Sequence, residues 1–217
     1  LVTSVRFPNF YNNEQYATGA GSGIIVSKSD NELMILTNKH VIEDADELTV
    51  TFINNKSVDA KVKGSSTSQD IAIISIPLNI IDKETLSAIK IATMGNSKEL
   101  KVGQGVIAIG NALGYGQSVT TGVISALDRE VSIDNNTTKM IQIDAAINGG
   151  NSGGALLNSK GEVIGINSAK YSSSGSVTSA SIEGMGFAIP ISDVSELITS
   201  IMNGTNLKED ERGYLGV

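Results

Sequence analysis

Short runs in which hydrophobic and polar residues alternate follow one another along most of the chain, and they are rich in valine and isoleucine. Alternation of this kind, bounded by Gly, Asn, Ser and Asp, is typical of β-strands. Six runs precede a stretch of polar and small residues at 77–102, and six follow it. The pattern therefore predicts an all-β protein of two six-stranded β-barrels, with strands at 2–7, 22–27, 33–37, 48–53, 57–63, 71–76, 105–110, 118–127, 139–144, 154–158, 162–168 and 184–189.

One segment near the end of the chain has the period of a helix. Positions 194, 197, 198 and 201 are apolar and share one face of a helix at 193–202, with Ser192 as its N-cap and Gly204 as its stop. We therefore expect three parts: a first barrel at 1–98, a second barrel at 99–190, and a C-terminal helix with a linker at 191–217.

The composition is that of a folded globular protein of one or two modest domains, with 217 residues, 40% hydrophobic and 18% charged. The net charge of −7 argues against nucleic acid or an anionic membrane surface as a partner, because both require a basic face. The chain has no cysteine and one histidine, which excludes a disulfide framework and argues against structural zinc. We therefore predict neither a metal nor a cofactor. Cytoplasmic proteins and bacterial secreted proteins without disulfides both fit this composition.

Glycines surround one serine on both sides, in the segment Gly149-Gly150-Asn151-Ser152-Gly153-Gly154. Glycine is costly in regular structure and is placed where φ is positive or where another group approaches the main chain closely. The segment is typical of a loop that presents one hydroxyl and several free N–H groups at one point. A glycine-rich hairpin turn would have the same sequence, so the segment alone does not decide.

A serine hydroxyl becomes a good nucleophile only when a neighbouring base takes its proton, and that base is most often histidine. The chain offers only His40. A buried carboxylate must in turn orient the imidazole, and Asp70 is the best candidate because it opens the apolar strand at 71–76. A solvated aspartate at a strand start is the alternative for Asp70, and the rival acids, in more polar settings, are Asp44, Asp46 and Asp144.

The chain order His40, Asp70, Ser152 is itself informative, because unrelated folds carry these three groups in different orders. An α/β-hydrolase needs a histidine after the serine, and this chain has none there. The order is that of the chymotrypsin-like fold. It puts His40 and Asp70 in the first barrel and Ser152 in the second, so the site is expected between the barrels.

Eight segments, each weak alone, together resemble the HtrA (Deg) family of trypsin-like serine proteases and occur in that family's order. The resemblance implies that His40 is the general base, Asp70 its orienting acid and Ser152 the nucleophile. It also implies an oxyanion hole formed by the N–H groups of Gly150 and Ser152, with Asn151 between them. The segments are 21–25, 36–41, 70–73, 109–111, 144–148, 150–154, 161–167 and 186–190, and the likeness runs from about residue 19 to the end.

The resemblance also implies a primary specificity pocket. In trypsin-like folds the residue six before the nucleophile lies at the base of this pocket, and here it is Ala146. Binding lysine or arginine there would require a carboxylate to pair with the buried cation. We therefore expect cleavage after small or medium aliphatic residues, unless Lys170 reaches inward and recruits an acidic residue instead of extending to solvent. The expected lining is Ala146, Ile147, Asn167, Ser168, Ala169 and Lys170.

Two positions are expected to regulate the site. Arg129 resembles the arginine of the family's sensor loop, although an ordinary solvated loop arginine would give the same sequence. Gly149 stands where the family often has proline, and two adjacent glycines allow the peptide between Gly149 and Gly150 to flip. We expect this freedom to leave the oxyanion hole partly formed and the basal activity low.

Partners and location follow from the resemblance alone. The tail at 212–217 is similar to the opening of a PDZ domain, so we expect that domain, and an N-terminal membrane anchor, to belong to the full-length protein. The family is typically extracytoplasmic in bacteria, where it degrades or processes misfolded polypeptides, and it is usually trimeric. Aromatic residues that either form an interface or cap the first barrel are Phe7, Phe10, Tyr11 and Tyr16.

Two functional classes remain open on the sequence. The first is an active endopeptidase that works through an acyl-enzyme. The second is a binding or chaperone-like module that keeps the fold without turnover. The complete set of Ser152, His40 and Asp70 favours the first, since an inactive protein has no physical reason to keep all three.

Overall fold

The computed structural model describes residues 1–6, 17–111, 116–133, 136–172 and 184–204 of the chain. Within these residues the chain is built from short antiparallel strands, as predicted, and ends in a helix. The aromatic cluster at 7–16 and the PDZ-like tail at 212–217 lie outside the described residues.

The first seven strands form one sheet. They are β1 Val2–Arg6, β2 Ala17–Gly21, β3 Ile24–Lys28, β4 Glu32–Thr37, β5 Glu47–Thr51, β6 Ser57–Ser66 and β7 Ile71–Pro77, and their order across the sheet is β2-β1-β5-β6-β7-β4-β3. In the pairing of β4 with β7, Thr37 lies opposite Ala72. The residues just after Thr37 and just before Ile71 therefore lie at the same edge of the sheet.

The remaining strands close into a six-stranded barrel. They are β8 Gly105–Gly110, β9 Ser118–Ile133, β10 Asn136–Ile143, β11 Ala155–Leu157, β12 Val163–Asn167 and β13 Gly186–Pro190, in the order β10-β13-β12-β11-β8-β9. The connection from β10 to β11 carries the glycine-rich segment. Because β10 and β11 do not pair with each other, this segment is not a hairpin turn.

The strands differ from the sequence prediction in two places. The first sheet has seven strands rather than six, because β2 pairs with β1 although its sequence, Ala-Thr-Gly-Ala-Gly, lacks alternating large apolar residues. Strand β9 runs to Ile133 rather than 127 and forms a long hairpin with β10, in which Glu130 lies opposite Lys139. The residues that begin this extension, Asp128, Arg129 and Glu130, are exposed and charged, which hides the strand from hydrophobic alternation, while Val131 packs against the core.

The described residues form four α-helices, α1 Lys39–Ile42, α2 Lys83–Ala88, α3 Ala169–Ser172 and α4 Ile191–Met202, and two short 3₁₀ helices, Leu78–Ile80 and Ser97–Glu99. The prediction that Ser192 caps α4 is wrong, because β13 runs directly into the helix and Pro190 occupies the cap position. The Ser192 hydroxyl instead accepts a hydrogen bond from the Ser97 N–H, at 2.9 Å. The stretch at 77–102 also contains α2, whose cap is the Asp82 side chain.

The apolar residues of β7 explain how the two halves pack. Alternate residues of this strand face opposite ways: Ala72, Ile74 and Ile76 join the core of the first sheet. Ile71 and Ile73 join a second core that includes residues of the barrel and of α4, among them Met140, Ile189 and Val194. A continuous apolar run in β7 is thus buried on both sides, and the two halves pack together through apolar side chains. None of the described helices is both long and apolar enough to cross a membrane.

Candidate active site

His40 and Asp70 form a closely bonded pair at one edge of the first sheet. The imidazole Nδ1 lies 2.7 Å from Asp70 Oδ2, and the His40 backbone N–H donates to Asp70 Oδ1 at 3.0 Å. Asp70 is only 5% exposed and has a left-handed backbone, with φ of 50°. Because an ionised carboxylate can only accept, Nδ1 carries the ring proton and Nε2 is left as the basic nitrogen.

The backbone around this pair is held as firmly as the side chains. The Asp70 carbonyl accepts from the Asn38 side-chain amide at 2.9 Å and from the Lys39 N–H at 3.2 Å. Both donors belong to the segment that carries His40 into α1. The rival acids Asp44, Asp46 and Asp144 are exposed, so Asp70 is the carboxylate that the fold brings to the imidazole.

The glycine-rich segment folds into two consecutive turns, at 148–151 and at 151–154. In the first, the Asn148 carbonyl accepts from the Asn151 N–H at 3.0 Å, and Gly150 has φ of 92°. A positive φ at the third position is the signature of a type II turn and requires glycine or asparagine. In the second, the Asn151 carbonyl accepts from the Gly154 N–H at 2.9 Å.

Between residues 150 and 154, hydrogen bonding leaves two N–H groups without an acceptor among the described residues. The N–H groups of Asn151, Gly153 and Gly154 all have backbone acceptors. Those of Gly150 and Ser152 have none among the described residues. Unpaired backbone N–H groups are rare in folded proteins, and a pair of them at a turn is suited to binding an oxyanion.

Close packing brings the glycine-rich loop against the first sheet. A Cβ atom on Gly153 would lie 2.3 Å from both the Ser22 carbonyl oxygen and Thr37 Oγ1, and 3.1 Å from the Asn38 backbone nitrogen. The Ser22 N–H also donates to the Ser152 carbonyl at 2.7 Å. These contacts put Ser152 beside the segment that carries His40, and they explain why residue 153 is glycine.

The Ser152 hydroxyl is engaged by α3 rather than by the imidazole. Ser152 Oγ accepts from the Ala169 N–H at 3.0 Å. Within the part of the chain that the structure describes, no hydrogen bond joins Ser152 to the His40 ring. Ser152 as a whole residue is 5% exposed, so its side chain is buried in this conformation.

The residues predicted to line the specificity pocket fall into two groups. The first group is not buried: Ala146 is exposed, and Ala169 and Lys170, which begin α3, are half-buried. The Ala146 carbonyl accepts a hydrogen bond from Thr120 Oγ1 at 3.0 Å. Ile147, Asn167 and Ser168 are buried. The Asn167 side chain crosses the barrel interior and donates to the carbonyls of Ala155, at 3.0 Å, and Ile109, at 3.3 Å.

Two of the helices next to the site, α1 and α3, carry charged side chains. Lys39 pairs with Glu43 one turn along α1, and this contact lowers the pKa of the Glu43 carboxyl. The positive charge of Lys170 lowers the pKa of the Glu43 carboxyl further. The sequence analysis did not identify Lys39 and Glu43, because an isolated pair four residues apart is common on helix surfaces.

The two predicted regulatory residues lie in different settings. Arg129 lies within β9 rather than in a loop, and its Nε donates to Gln142 Oε1 at 3.1 Å. Gly149 is exposed, and no atom lies within 4 Å of where its Cβ would be. Among the described residues, no group of three His, Cys, Asp or Glu side chains is arranged to hold a metal ion.

Residues 21–166 match the family model of the trypsin-like peptidase domain. The chain is 41% identical to "Serine protease Do-like HtrB" of Bacillus subtilis (strain 168) and covers 45% of that protein with 94% of its own length. It is also 41% identical to "Probable periplasmic serine protease do/HhoA-like" of Haemophilus influenzae, of which it covers 39% with 92% of its length. The chain thus spans less than half of these relatives.

Solved structures agree with the sequence relatives. The structure titled "HtrA-type protease AlgW with tripeptide" superposes with a TM-score of 0.72 at 32% identity, over 94% of this chain and 60% of that one. This likeness confirms the predicted chymotrypsin-like fold. The chain therefore belongs to the trypsin-like peptidase family, in its HtrA (Deg) branch.

Proposed function

We propose that the chain is the catalytic domain of a serine endopeptidase, with Ser152 as nucleophile, His40 as general base and Asp70 as the acid that orients His40. The observation that carries this proposal is the double contact of Asp70 with the ring and the backbone N–H of His40, at 2.7 and 3.0 Å. A buried carboxylate in this position fixes the imidazole tautomer that can accept a proton at Nε2.

The chemistry proceeds in two acyl-transfer steps. Ser152 Oγ attacks the scissile carbonyl carbon while its proton passes to His40 Nε2. The imidazolium, stabilised by Asp70, then gives this proton to the leaving amine as the C–N bond breaks. Water attacks the resulting ester by the same route and releases the second product, which regenerates the Ser152 hydroxyl.

The negative charge of each tetrahedral intermediate develops on the former carbonyl oxygen. The N–H groups of Gly150 and Ser152 would donate to this oxygen, and their lack of other partners among the described residues supports that role. Loss of one such donor costs roughly 100- to 1,000-fold in rate. The oxyanion hole is therefore expected to contribute as much to the rate as the positioning of the base.

Attack requires the Ser152 hydroxyl to leave the Ala169 N–H and turn toward His40 Nε2. The hydrogen bond at 3.0 Å opposes this rotation and leaves the serine disengaged at rest. We therefore propose that the domain has a low basal activity, which rises when a bound polypeptide displaces α3. Arg129 and Gly149 would tune the same transition through the barrel hairpin and the turn at 148–151.

We propose that cleavage follows small or medium aliphatic residues, because Ala146 offers no carboxylate for a basic side chain. We propose that Lys170 extends to solvent rather than into the pocket, because a long lysine side chain can keep its charge hydrated. A digest of a peptide library is expected to show Val, Ala, Ile or Leu before the cut. Arg or Lys before the cut would contradict the assignment. The variant Ala146→Asp is expected to introduce cleavage after Arg or Lys.

The biological setting is proposed from the relatives. One of them is named a periplasmic serine protease, which supports an extracytoplasmic location for this protein. We propose that the substrates are misfolded or unfolded polypeptides, and that the full-length chain carries a membrane anchor, a PDZ domain and a trimer interface. Light scattering of the purified domain tests the trimer: a particle at the monomer mass of 22.6 kDa would argue against it.

Cleavage of unfolded casein tests the enzymatic proposal. The wild-type domain is expected to degrade casein, and Ser152→Ala and His40→Ala are each expected to abolish detectable cleavage, because triad members act as a unit. Ser195→Ala, on the exposed part of α4, serves as the matched control and should cleave normally. A wild-type domain that suppresses casein aggregation without cutting it would instead indicate a chaperone-like module.

A further inference from the structure

We propose that Ser22 is a positioning residue for the oxyanion hole, acting through a hydroxyl that holds the Gly150 carbonyl in place. The inference rests on the proposed function, because it concerns the same Gly150 and Ser152 donors. Ser22 precedes β3 in the first sheet and is 5% exposed. It lies directly between Gly21 and Gly23, and its hydroxyl makes no hydrogen bond to a histidine among the described residues.

The direction of the Ser22 hydroxyl is set by its two partners. Ser22 Oγ lies 2.8 Å from the Asn111 backbone nitrogen and 2.8 Å from the Gly150 carbonyl oxygen. The Asn111 N–H can only donate, so the hydroxyl oxygen accepts there. Its single proton is then committed to the Gly150 carbonyl, which can only accept. Both backbone groups lose these partners if the hydroxyl is removed.

The backbone of Ser22 makes two further hydrogen bonds. Its N–H donates to the Ser152 carbonyl at 2.7 Å, and its carbonyl accepts from Thr37 Oγ1 at 2.7 Å. Ser22 thus connects the loop that carries Ser152 to Asn111, which directly follows β8. It also connects this loop to Thr37, at the end of the strand that leads to His40. It contacts the loop at two carbonyls, those of Gly150 and Ser152.

These two carbonyls follow directly after the two proposed oxyanion donors along the chain. The peptide between Gly150 and Asn151 is held on both sides, by Ser22 Oγ at its carbonyl and by the Asn148 carbonyl at its N–H, at 3.0 Å. Rotation of this peptide would turn the backbone that lies between the Gly150 and Ser152 N–H groups. The Ser22 hydroxyl therefore restrains the angle between the donors, and its hydrogen bonds among the described residues do not include His40 or Asp70.

The test compares Ser22→Ala with wild type in rate per active site, with active sites counted by fluorophosphonate titration. We expect kcat to fall roughly tenfold to a hundredfold, less than for deletion of an oxyanion donor, because the donors are displaced rather than removed. KM should change by less than about twofold, since ground-state contacts remain. Binding of a peptide boronate, which mimics the tetrahedral intermediate, should weaken in parallel with kcat.

Two further variants separate positioning from a merely structural role. Ser22→Thr keeps the hydroxyl and should restore most of kcat. Ser192→Ala is the matched control, because it removes a hydroxyl that also accepts a backbone N–H, 2.9 Å from Ser97, and also donates onward, to Asn96. It should leave kcat unchanged. A purely structural serine would lower the titrated fraction or the unfolding temperature, and not the rate per titrated site.

The outcomes are distinguishable from failure of the proposed function. If fluorophosphonate does not label wild-type Ser152, the proposed function is wrong and the positioning role falls with it. If wild type is labelled but Ser22→Ala keeps its kcat and boronate affinity per active site, only the positioning role is overturned. Should Ser22→Ala fail to fold, Ser22→Cys keeps the volume with a weaker donor, and an unchanged kcat in that variant would overturn the inference equally.

Discussion

The two halves of the candidate active site differ in how completely they are assembled. On the side of the first sheet, the His40 ring and backbone N–H both bind Asp70, and the Asp70 carbonyl is bound in turn by Asn38 and Lys39. On the side of the barrel, the Ser152 hydroxyl binds the Ala169 N–H of α3 instead of the imidazole. The ring of His40, the proposed base, is oriented by Asp70, whereas the hydroxyl of Ser152, the proposed nucleophile, is hydrogen-bonded to α3.

The difference follows from the kind of structure that carries each half. His40 and Asp70 flank strands β4 and β7, which pair directly, so strand register within one sheet fixes their separation. Ser152 lies on a loop between strands that do not pair, and its hydroxyl partner belongs to a helix of four residues. Register is set by many hydrogen bonds along two strands, whereas the position of the Ser152 hydroxyl depends on one hydrogen bond to α3.

The largest effect is expected from damage to the assembled half. Asp70→Asn keeps the shape but presents an amide to His40 Nδ1, which favours the wrong imidazole tautomer. We expect kcat to fall on the order of 10⁴-fold, with folding intact. The measurement is kcat by peptide hydrolysis beside circular dichroism. Asp44→Asn, which changes an exposed rival acid, is the control, and a comparable loss in that variant would contradict the role of Asp70.

A smaller effect, a rise in basal turnover, is expected from removing the hydrogen bond that holds the Ser152 hydroxyl. Ala169→Pro deletes the N–H that holds Ser152 Oγ, and proline is tolerated at the first position of a helix. Since one hydrogen bond contributes about 0.5 to 1.5 kcal/mol, basal turnover should rise roughly two- to tenfold. Ala169→Gly keeps the N–H and should not raise turnover. Equal rates in the two variants would show that this hydrogen bond does not restrain the nucleophile.

The smallest effect is expected from stiffening the turn at 148–151. Gly149 occupies the second position of a type II turn, where proline is favoured, and the site is open with no hydrogen bond to the Gly149 N–H among the described residues. Gly149→Pro should raise basal turnover about two- to fivefold, because proline reduces the number of backbone conformations that the loop can adopt. Gly149→Ala should give a smaller rise in the same hydrolysis assay.

Arg129→Ala is the companion to this variant. Its side chain binds Gln142 in the barrel hairpin, away from the turn in sequence. We expect basal turnover to stay the same and stimulation by added unfolded polypeptide to diminish. If Gly149→Pro leaves turnover unchanged and Arg129→Ala also has no effect, the loop is not a switch and the regulatory proposal fails.

Sequence reasoning located the features that carry a strong local signal. The Ile-rich run at 71–76 predicts a strand, which β7 confirms. The lone acid at its start, Asp70, is the predicted partner of the imidazole because an unpaired carboxylate there is costly, and the structure brings it to His40. Strand β2 was missed because its small residues pair through backbone hydrogen bonds alone. The N-cap of α4 was misplaced since nothing local indicates that β13 continues to Pro190.

The contacts that define the state of the nucleophile were beyond the reach of sequence. Ser22 is 128 residues from Gly150 and Ala169 is 17 from Ser152, so neither hydrogen bond has a local pattern. A signal for Ser22 does exist in its two flanking glycines, which mark a close approach of backbones. The engagement of Ser152 by Ala169 has no comparable signal, because it depends on where α3 docks.

Fluorophosphonate labelling with peptide mapping tests the central claim most directly, because only an activated serine reacts with this reagent. The account predicts that the label maps to Ser152, that labelling is slow in wild type and faster in Ala169→Pro, and that His40→Ala abolishes it. A label on another residue, or a Ser152 labelling rate that His40→Ala leaves unchanged, would contradict the assignment of Ser152 as a nucleophile activated by His40.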